Sequence, residues 1–274
     1  MFTVLDYFQA PDPELWLRQI GESDWRAGQY LHSLLRERRF HERYGARSRV
    51  LLLTEGERLL AFCTYAERDE IAAPSLTPWA GFVYTFPEAR GKRRMGKLLE
   101  HAYRLAKADG HSYLYLSTDH TGLYEKYGFT FWRTMTAQSG EETRVYRLPV
   151  DRRDYSAVLG TRVHGVIDRP LGSAHPRYPD HVYPVNYGYV EGVLGGDGME
   201  QDVYLLGPDR PLETFEGTVA AVVHRLNDHE DKWIVSPDGR SFTEEEIRRA
   251  IDFQEQYYMG EICLPCISST QKES

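Results

Sequence analysis

The chain of 274 residues has only three cysteines, no long hydrophobic run and no excess of basic side chains. A transmembrane helix needs a run of about 18 apolar residues, and no such run occurs. The first residues also lack the charged and then apolar pattern of a signal peptide. The net charge of −8 argues against non-specific binding to nucleic acid or to an anionic membrane. These absences predict a cytoplasmic protein that binds neither nucleic acid nor membranes.

The three cysteines, Cys63, Cys263 and Cys266, are too few for a disulfide framework, which fits a reducing compartment. Cys263 and Cys266 form a C-x-x-C pair. Neither a second pair nor two nearby histidines completes a zinc site, so a chance spacing is favoured over metal binding.

The first 150 residues alternate between helical and strand patterns, which is typical of an α/β domain with a mixed central sheet. Leu31, Leu34 and Leu35 follow helical spacing, and apolar residues recur at that spacing again from Met95 to Ala106. The pattern predicts strands over 50–53, 59–65, 81–86, 112–117, 129–134 and 144–148, and a short helix over 121–127.

The second half is rich in glycine and proline up to residue 200 and ends in one helix. Thr243 and Glu246 form a capping box ahead of an amphipathic segment over 247–258. The predicted strands of this half lie near 162–168, 201–206, 218–225 and 232–235. The expected boundaries are a first domain over 1–150, a linker over 151–160, a second domain over 161–262 and a tail over 263–274.

A basic, glycine-containing loop follows the strand that ends near Phe86. The segment Arg90–Gly96 holds two glycines and four cations, and a helix begins directly after it. Glycine lets the backbone approach a ligand closely, and amide groups at a helix N-terminus favour negative charge. The segment can therefore be a cradle for a diphosphate or simply a basic, solvated helix start.

The next segment favours the cradle. Leu123–Phe129 reads Leu-Tyr-Glu-Lys-Tyr-Gly-Phe, and together with Arg90, Gly91 and Gly96 it resembles the GNAT acetyltransferase superfamily over nearly all of residues 1–150. The resemblance implies acetyl-CoA as cofactor and an amine as acceptor. It also implies that Phe82, Val83, Tyr84 and Thr85 bind the pantetheine arm, and that Arg90, Gly91, Lys92, Arg93, Arg94, Met95, Gly96 and Lys97 hold the pyrophosphate.

Tyr124 matches the family's tyrosine that protonates the departing CoA thiolate, a step that needs a general acid. The loop departs from the family pattern in either of two registers. Counted from Arg90, the positions that are usually small hold Arg93 and Met95; counted from Arg93, Gly96 fits and Leu98 does not. The general base stays open. The candidates are the acidic residues after one strand, Glu67, Asp69 and Glu70, and the pair Asp119 and His120 after another.

The second half carries carboxylates and tyrosines around glycine turns. Carboxylates near such turns are what hard divalent cations need, but they are also typical of acidic surface turns. The segments Tyr183–Tyr189, Gly195–Tyr204 and Asn227–Trp233 together resemble the family I inorganic pyrophosphatases over about 161–258. In that family the fold is a small, OB-like β-barrel with a closing helix, and Mg²⁺ activates water.

The resemblance implies a role for each matching residue. Asp202 is expected to act in catalysis as well as in metal binding. The implied metal ligands are Asp197, Asp202, Asp228, Glu230 and Asp231, and the implied phosphate contacts are Tyr187, Lys232 and Tyr257.

Several positions depart from the pyrophosphatase pattern. Met199 replaces the middle aspartate of the turn, and thioether is a poor ligand for Mg²⁺. Val166 replaces a glutamate, Tyr258 replaces a lysine, and His175 replaces a basic residue, although Arg177 is close in sequence.

The sequence therefore predicts an acetyl-CoA-dependent N-acetyltransferase fused to a pyrophosphatase-like domain. Three roles stay open for that second domain: hydrolysis of diphosphate with Mg²⁺, regulatory binding of a diphosphate or nucleotide, and a purely structural part. The sequence indicates neither the acceptor amine nor the oligomeric state.

Overall fold

The computed structural model describes residues 2–175, 178 and 180–265, so Arg177 and Cys266 lie outside the described residues. The chain divides into two compact units, Met1–Arg152 and Arg153–Ser274. In the described part, no helix is long and apolar enough to span a bilayer.

The first unit is built on a seven-stranded mixed sheet of order β1-β2-β3-β4-β5-β7-β6. Every neighbouring pair is antiparallel except β4 with β5, which run parallel. The prediction of a mixed α/β sheet is confirmed. The strands are β1 (Phe2–Asp6), β2 (Arg49–Glu55), β3 (Arg58–Ala66), β4 (Trp79–Thr85), β5 (Tyr113–Thr118), β6 (Thr130–Thr136) and β7 (Glu142–Pro149).

Four helices accompany this sheet: α1 (Pro13–Gly21), α2 (Arg26–Arg36), α3 (Phe40–Tyr44) and α4 (Arg94–Ala108). Helix α1 starts where the Asp12 side chain accepts a hydrogen bond from the Leu15 amide. Helix α4 buries an apolar stripe at the predicted spacing. That stripe consists of Leu98, Leu99, Ala102, Tyr103 and Ala106.

The second unit contains a six-stranded sheet of order β12-β10-β9-β8-β11-β13, in which β12 also pairs with β11. Strand β10 runs parallel to β12, and the other pairs are antiparallel. The β-rich character predicted for this half is confirmed, whereas β9 and β13 were not predicted. The strands are β8 (Arg162–Arg169), β9 (Asn186–Leu194), β10 (Glu200–Leu205), β11 (Thr214–Arg225), β12 (Lys232–Ser236) and β13 (Gly260–Cys263).

Helix α5 (Glu244–Glu255) packs on one face of this sheet. Thr243 is its N-cap, and the capping box with Glu246 is present in both directions. The helix therefore begins three residues before the predicted start at Ile247, and it ends at Glu255 rather than at Tyr258. Its buried Ile247 and Ile251 join a core of tyrosines and aliphatic residues.

A second core lies among β8, β9, β10, β11 and β12. The segment over 151–160, predicted as a linker, contributes to it, since Tyr155, Val158 and Leu159 are partly buried against this core.

Candidate functional site

The strands β4 and β5 meet at one point and do not pair beyond it. Their one registered pair is Trp79 with Tyr115, near the start of each strand. Opposite β3, strand β4 carries an extra residue, because Phe62 pairs with Tyr84 and Thr64 pairs with Gly81. Phe82 accommodates this bulge with a positive φ of 48°. A bulge redirects backbone amide and carbonyl groups, so the strand segment predicted to bind pantetheine has polar groups outside the sheet pairing.

The predicted pyrophosphate loop turns through left-handed backbone at Gly91, with φ of 76°, and at Arg93, with φ of 51°. Helix α4 begins at Arg94 with no acidic residue in its first turn. Gly96 lies in that turn, and a Cβ there would stand 2.9 Å from Cε1 of Tyr127. Glycine is thus required for the packing of the segment after β5 against the helix start.

The loop cations fall into two pairs. Arg90 donates from Nε to the Thr85 carbonyl at 3.0 Å, and the Arg94 guanidinium lies 3.6 Å from the centroid of the Phe2 ring. Lys92 and Arg93 are exposed on the loop itself. Arg90 is exposed as well, so three of the loop cations can be reached by an anion that arrives from solvent.

Tyr124 begins a short 3-10 turn, Tyr124–Tyr127, where a helix over 121–127 was predicted. Its ring packs edge-on against Phe129, and only 6% of the residue is exposed. Burial raises the pKa of the phenol, and the nearby Cys63 adds to this effect. The Tyr124 hydroxyl makes no hydrogen bond among the described residues. It is thus a protonated phenol that is available as a donor.

The acidic residues that follow β3 are not equivalent. Glu67 accepts from Arg47 Nε at 2.8 Å, and Glu70 is held by Arg43 and by the Tyr44 hydroxyl. Asp69 instead accepts from the Ser117 hydroxyl of β5 at 2.9 Å.

Asp69 also stands beside β4, because a Cβ on Gly81 would lie 3.8 Å from its Oδ2. It therefore bridges the place where β4 and β5 cease to pair. Burial raises the pKa of Asp69, and a like charge on Glu70 adds to the rise. Asp119 and His120, the other candidates for the base, are both exposed.

An aromatic surface surrounds the bulge at Phe82, and sequence reasoning did not find it. The ring of Phe82 contacts Trp25, Tyr30 and Tyr44, whose centroids lie 6.5, 6.4 and 5.4 Å away. The Tyr84 hydroxyl donates to Asp24 at 2.6 Å on the same side. The residues come from three separate segments, so no local spacing predicts the cluster.

In the second unit, four of the predicted site residues converge. Lys232 donates to both Asp202 and Glu230, although only 2% of its side chain is exposed. The ring of Tyr187 lies 6.0 Å from Lys232 Nζ, and burial and Asp202 raise the pKa of the Tyr187 hydroxyl.

The other predicted metal ligands have partners of their own, and Asp197 also lies near Glu230 and Lys232. Asp228 accepts from Arg225 at 2.9 Å, and Asp231 contacts His224 and the Tyr155 hydroxyl at 2.7 Å each. Asp197 is exposed and caps the amide of Met199. Among the described residues, no three His, Cys, Asp or Glu side chains form a group that could hold a metal ion.

The other positions that were matched to the pyrophosphatases lie outside the Lys232 cluster. Tyr257 stacks on His181 at 5.9 Å, and Tyr258 lies 3.6 Å from the Arg225 guanidinium. Met199 is 69% exposed, and Val166 pairs with Tyr189 within the sheet. Arg169 was missed by sequence reasoning: its guanidinium lies over both the Tyr183 and Tyr187 rings, at 5.9 and 5.1 Å.

Several solved structures are similar to part of this chain. One is a protein of Desulfovibrio desulfuricans described as an acetyltransferase of the GNAT family, at 18% identity and a TM-score of 0.42, covering 55% of this chain and 100% of that one. Another is an acetyltransferase of Salmonella typhimurium with its cofactor acetyl-CoA, at 15% identity and a TM-score of 0.38, covering 56% of this chain and 95% of that one.

An inorganic pyrophosphatase from Neisseria gonorrhoeae also matches, at 23% identity and a TM-score of 0.29, over 38% of this chain and 81% of that one. No curated protein matches the chain. The sequence model described as the acetyltransferase (GNAT) family matches residues 14–129. The segment 14–129, which carries β4, the basic loop and Tyr124, therefore belongs to the GNAT acetyltransferase family.

Proposed function

We propose that the first unit transfers an acetyl group from acetyl-CoA to a primary amine. The observation that carries the proposal is the parting of β4 and β5 at Trp79 and Tyr115, beside the carboxylate of Asp69. Because β4 and β5 do not pair beyond this point, backbone groups of Phe82–Thr85 can form hydrogen bonds with the pantetheine amides. Lys92, Arg93 and the first amides of α4 then meet the pyrophosphate.

Asp69 is the general base in this proposal. It accepts a proton from the amine as the nitrogen bonds to the acetyl carbon. Its raised pKa brings it closer to neutral pH, where a base is more effective, than an ordinary carboxylate would be. Glu67 and Glu70 are already paired with arginines, which makes them weaker bases.

Tyr124 is the general acid. It donates its proton to the sulfur as the carbon–sulfur bond breaks, and the proton that Asp69 took leaves to solvent. Because burial raises its pKa, the phenol is protonated at neutral pH and regains its proton readily. The acceptor amine meets the aromatic surface around Phe82, whose neighbours Asp24 and Glu70 are acidic and suit a cationic amine.

The test is a panel of primary amines incubated with acetyl-CoA and the full chain, with CoA release followed by a thiol reagent and the product by mass spectrometry. Tyr124→Phe should slow turnover by about a hundredfold, while acetyl-CoA affinity stays within a factor of two. Tyr113→Phe is the matched control and should retain full activity. Equal rates for both variants would remove Tyr124 from the mechanism.

We infer a binding role for the second unit. The support for a closed, OB-like barrel is that β12 pairs with both β10 and β11, which would join five strands in a ring. Four of the five carboxylates that would hold Mg²⁺ are already paired, with Lys232, Arg225 or His224. This pairing favours a pyrophosphatase-like domain that binds a phosphorylated ligand over one that hydrolyses diphosphate with Mg²⁺.

Phosphate release from diphosphate with Mg²⁺ tests this role. We expect none above background for the wild type, and a gain only in Met199→Asp, which restores an aspartate to the turn. Hydrolysis by the wild type would instead make the protein bifunctional and would contradict the binding role.

A further inference from the structure

A pocket of about 400 Å³ opens in the second unit between the segment after β8 and the end of α5. Most of its wall is made of rings. Tyr178, Tyr257 and Tyr258 contribute, with Tyr183 and Phe253 beside them and the imidazoles of His175 and His181. Among the described residues that line it, none is a lysine, arginine, aspartate or glutamate. Such a wall suits a planar, uncharged group rather than a bare anion.

The rings present flat faces to a ligand. His175 lies nearly parallel to Tyr183, with 10° between their planes, and His181 lies nearly parallel to Tyr257, with 15° between theirs. Tyr178 and Tyr257 are 60% and 41% exposed, so part of each ring is accessible from solvent. An aromatic ring with an accessible face stacks on any nucleobase.

The polar groups of the pocket can read the edge of a base. The Gln254 side chain offers both a donor and an acceptor, and each neutral imidazole offers one of each. The Tyr183 hydroxyl is buried and interacts with the Arg169 side chain, and burial raises its pKa, so it stays neutral.

A cation lies next to the pocket. The Arg169 guanidinium stands 5.9 Å from the centroid of the Tyr183 ring, and the two side chains interact. Arg169 reaches from there over Tyr187, whose ring is 5.6 Å from that of Tyr183. A ring pocket with an arginine beside one of its rings matches a ligand that joins a base to a phosphate.

We propose that this pocket binds a nucleotide, with the base against Tyr178 and Tyr257 and a phosphate toward Arg169. The inference deepens the proposed binding role of the second unit and is independent of acetyl transfer by the first. It assigns the ring pocket to the base, and it distinguishes a nucleotide from diphosphate, which has no group for these rings.

Calorimetric titration of the full chain with AMP, adenosine, ribose 5-phosphate and diphosphate tests the inference. AMP should bind most tightly, adenosine more weakly, and ribose 5-phosphate and diphosphate least. Tyr257→Ala should weaken AMP and adenosine about tenfold, because one stacking face is lost, whereas Tyr257→Phe should stay within threefold. Arg169→Gln should bring AMP to the affinity of adenosine and leave adenosine unchanged.

The outcomes separate the inference from the role on which it rests. If diphosphate binds and AMP gains nothing from its base, the unit binds phosphate but the ring pocket is wrongly assigned. If none of the four compounds binds, both the inference and the binding role are wrong. If AMP binds with unchanged affinity to Tyr257→Ala and Tyr178→Ala, its binding site lies elsewhere in the chain. That result also overturns the inference.

Discussion

Replacing Asp69 by asparagine removes the proposed base and changes little else. Asp69 accepts hydrogen bonds from the Ser117 hydroxyl at 2.9 Å and from the Ile71 amide at 3.3 Å. An asparagine Oδ1 can accept the same bonds, but the amide cannot take a proton at neutral pH. The substitution therefore separates proton transfer from the local hydrogen bonding.

General base catalysis contributes about 10²–10⁴-fold to a rate, so turnover in Asp69→Asn should fall at least a hundredfold near neutral pH. The pH dependence has a definite sign. Because burial raises the pKa of Asp69, the wild-type rate should fall with acidification at a higher pH than an ordinary aspartate would cause. The variant should lack this acidic limb.

The same shift predicts the effect on stability. A folded pKa above the unfolded value means that Asp69 favours folding when protonated, and that this contribution is lost as pH rises through the folded pKa. Asp69→Asn should therefore not lower the free energy of unfolding at pH 7, as measured by urea denaturation. A loss of activity then reflects chemistry rather than unfolding.

The assay uses the best amine of the panel, with CoA release measured from pH 5 to pH 9. Glu67→Gln is the matched control, since Glu67 follows the same strand but is paired with Arg47. The reasoning is refuted if Asp69→Asn turns over within threefold of the wild type and keeps the acidic limb.

Three further substitutions test the packing. Arg225→Met should lower the free energy of unfolding of the second unit by about 3–5 kcal/mol, since it leaves the carboxylate of Glu255 buried without its cation; a loss below 1 kcal/mol in urea denaturation would contradict this. Thr243→Ala removes the cap of α5 and should cost about 1 kcal/mol in the same experiment, with an unchanged value as the contrary result. Gly96→Ala should cost the first unit about 1–3 kcal/mol through its contact with Tyr127, and adding Tyr127→Ala should recover part of that loss; no recovery would show that the contact is not the cause.

Local sequence patterns predicted the features that depend on neighbouring residues. The apolar spacing of α4 and the capping box of α5 are visible because their residues lie within a few positions of each other. The arrangement of Asp69 is different. Its partner Ser117 is 48 positions away, and the sequence offered five equal candidates for the base.

Strand β9 was not predicted from the sequence, and it contains a glycine. Gly188 lies inside this strand, where a Cβ would stand 1.9 Å from the Val166 carbonyl oxygen. The residue is glycine because of a close approach between strands rather than because of a turn. Only the pairing of β8 with β9 reveals this reason.

The carboxylates of the second unit could be found in the sequence, but their partners could not. The resemblance to the pyrophosphatases implied that Asp202, Glu230 and Asp228 are metal ligands. The structure pairs them with Lys232 and Arg225, whose side chains are each 2% exposed. Because buried cations pair with these carboxylates, the carboxylates are poorer ligands for Mg²⁺ than the sequence suggested. The burial of Lys232 and Arg225 depends on tertiary packing, so local sequence does not reveal it.

Calorimetric titration of the full chain with acetyl-CoA tests the central claim most directly. We expect saturable heat with one acetyl-CoA per chain, weakened by Lys92→Ala combined with Arg93→Ala and retained in Tyr124→Phe. The absence of heat from the wild type under conditions where it is folded would contradict the assignment of the first unit as an acetyl-CoA-dependent enzyme.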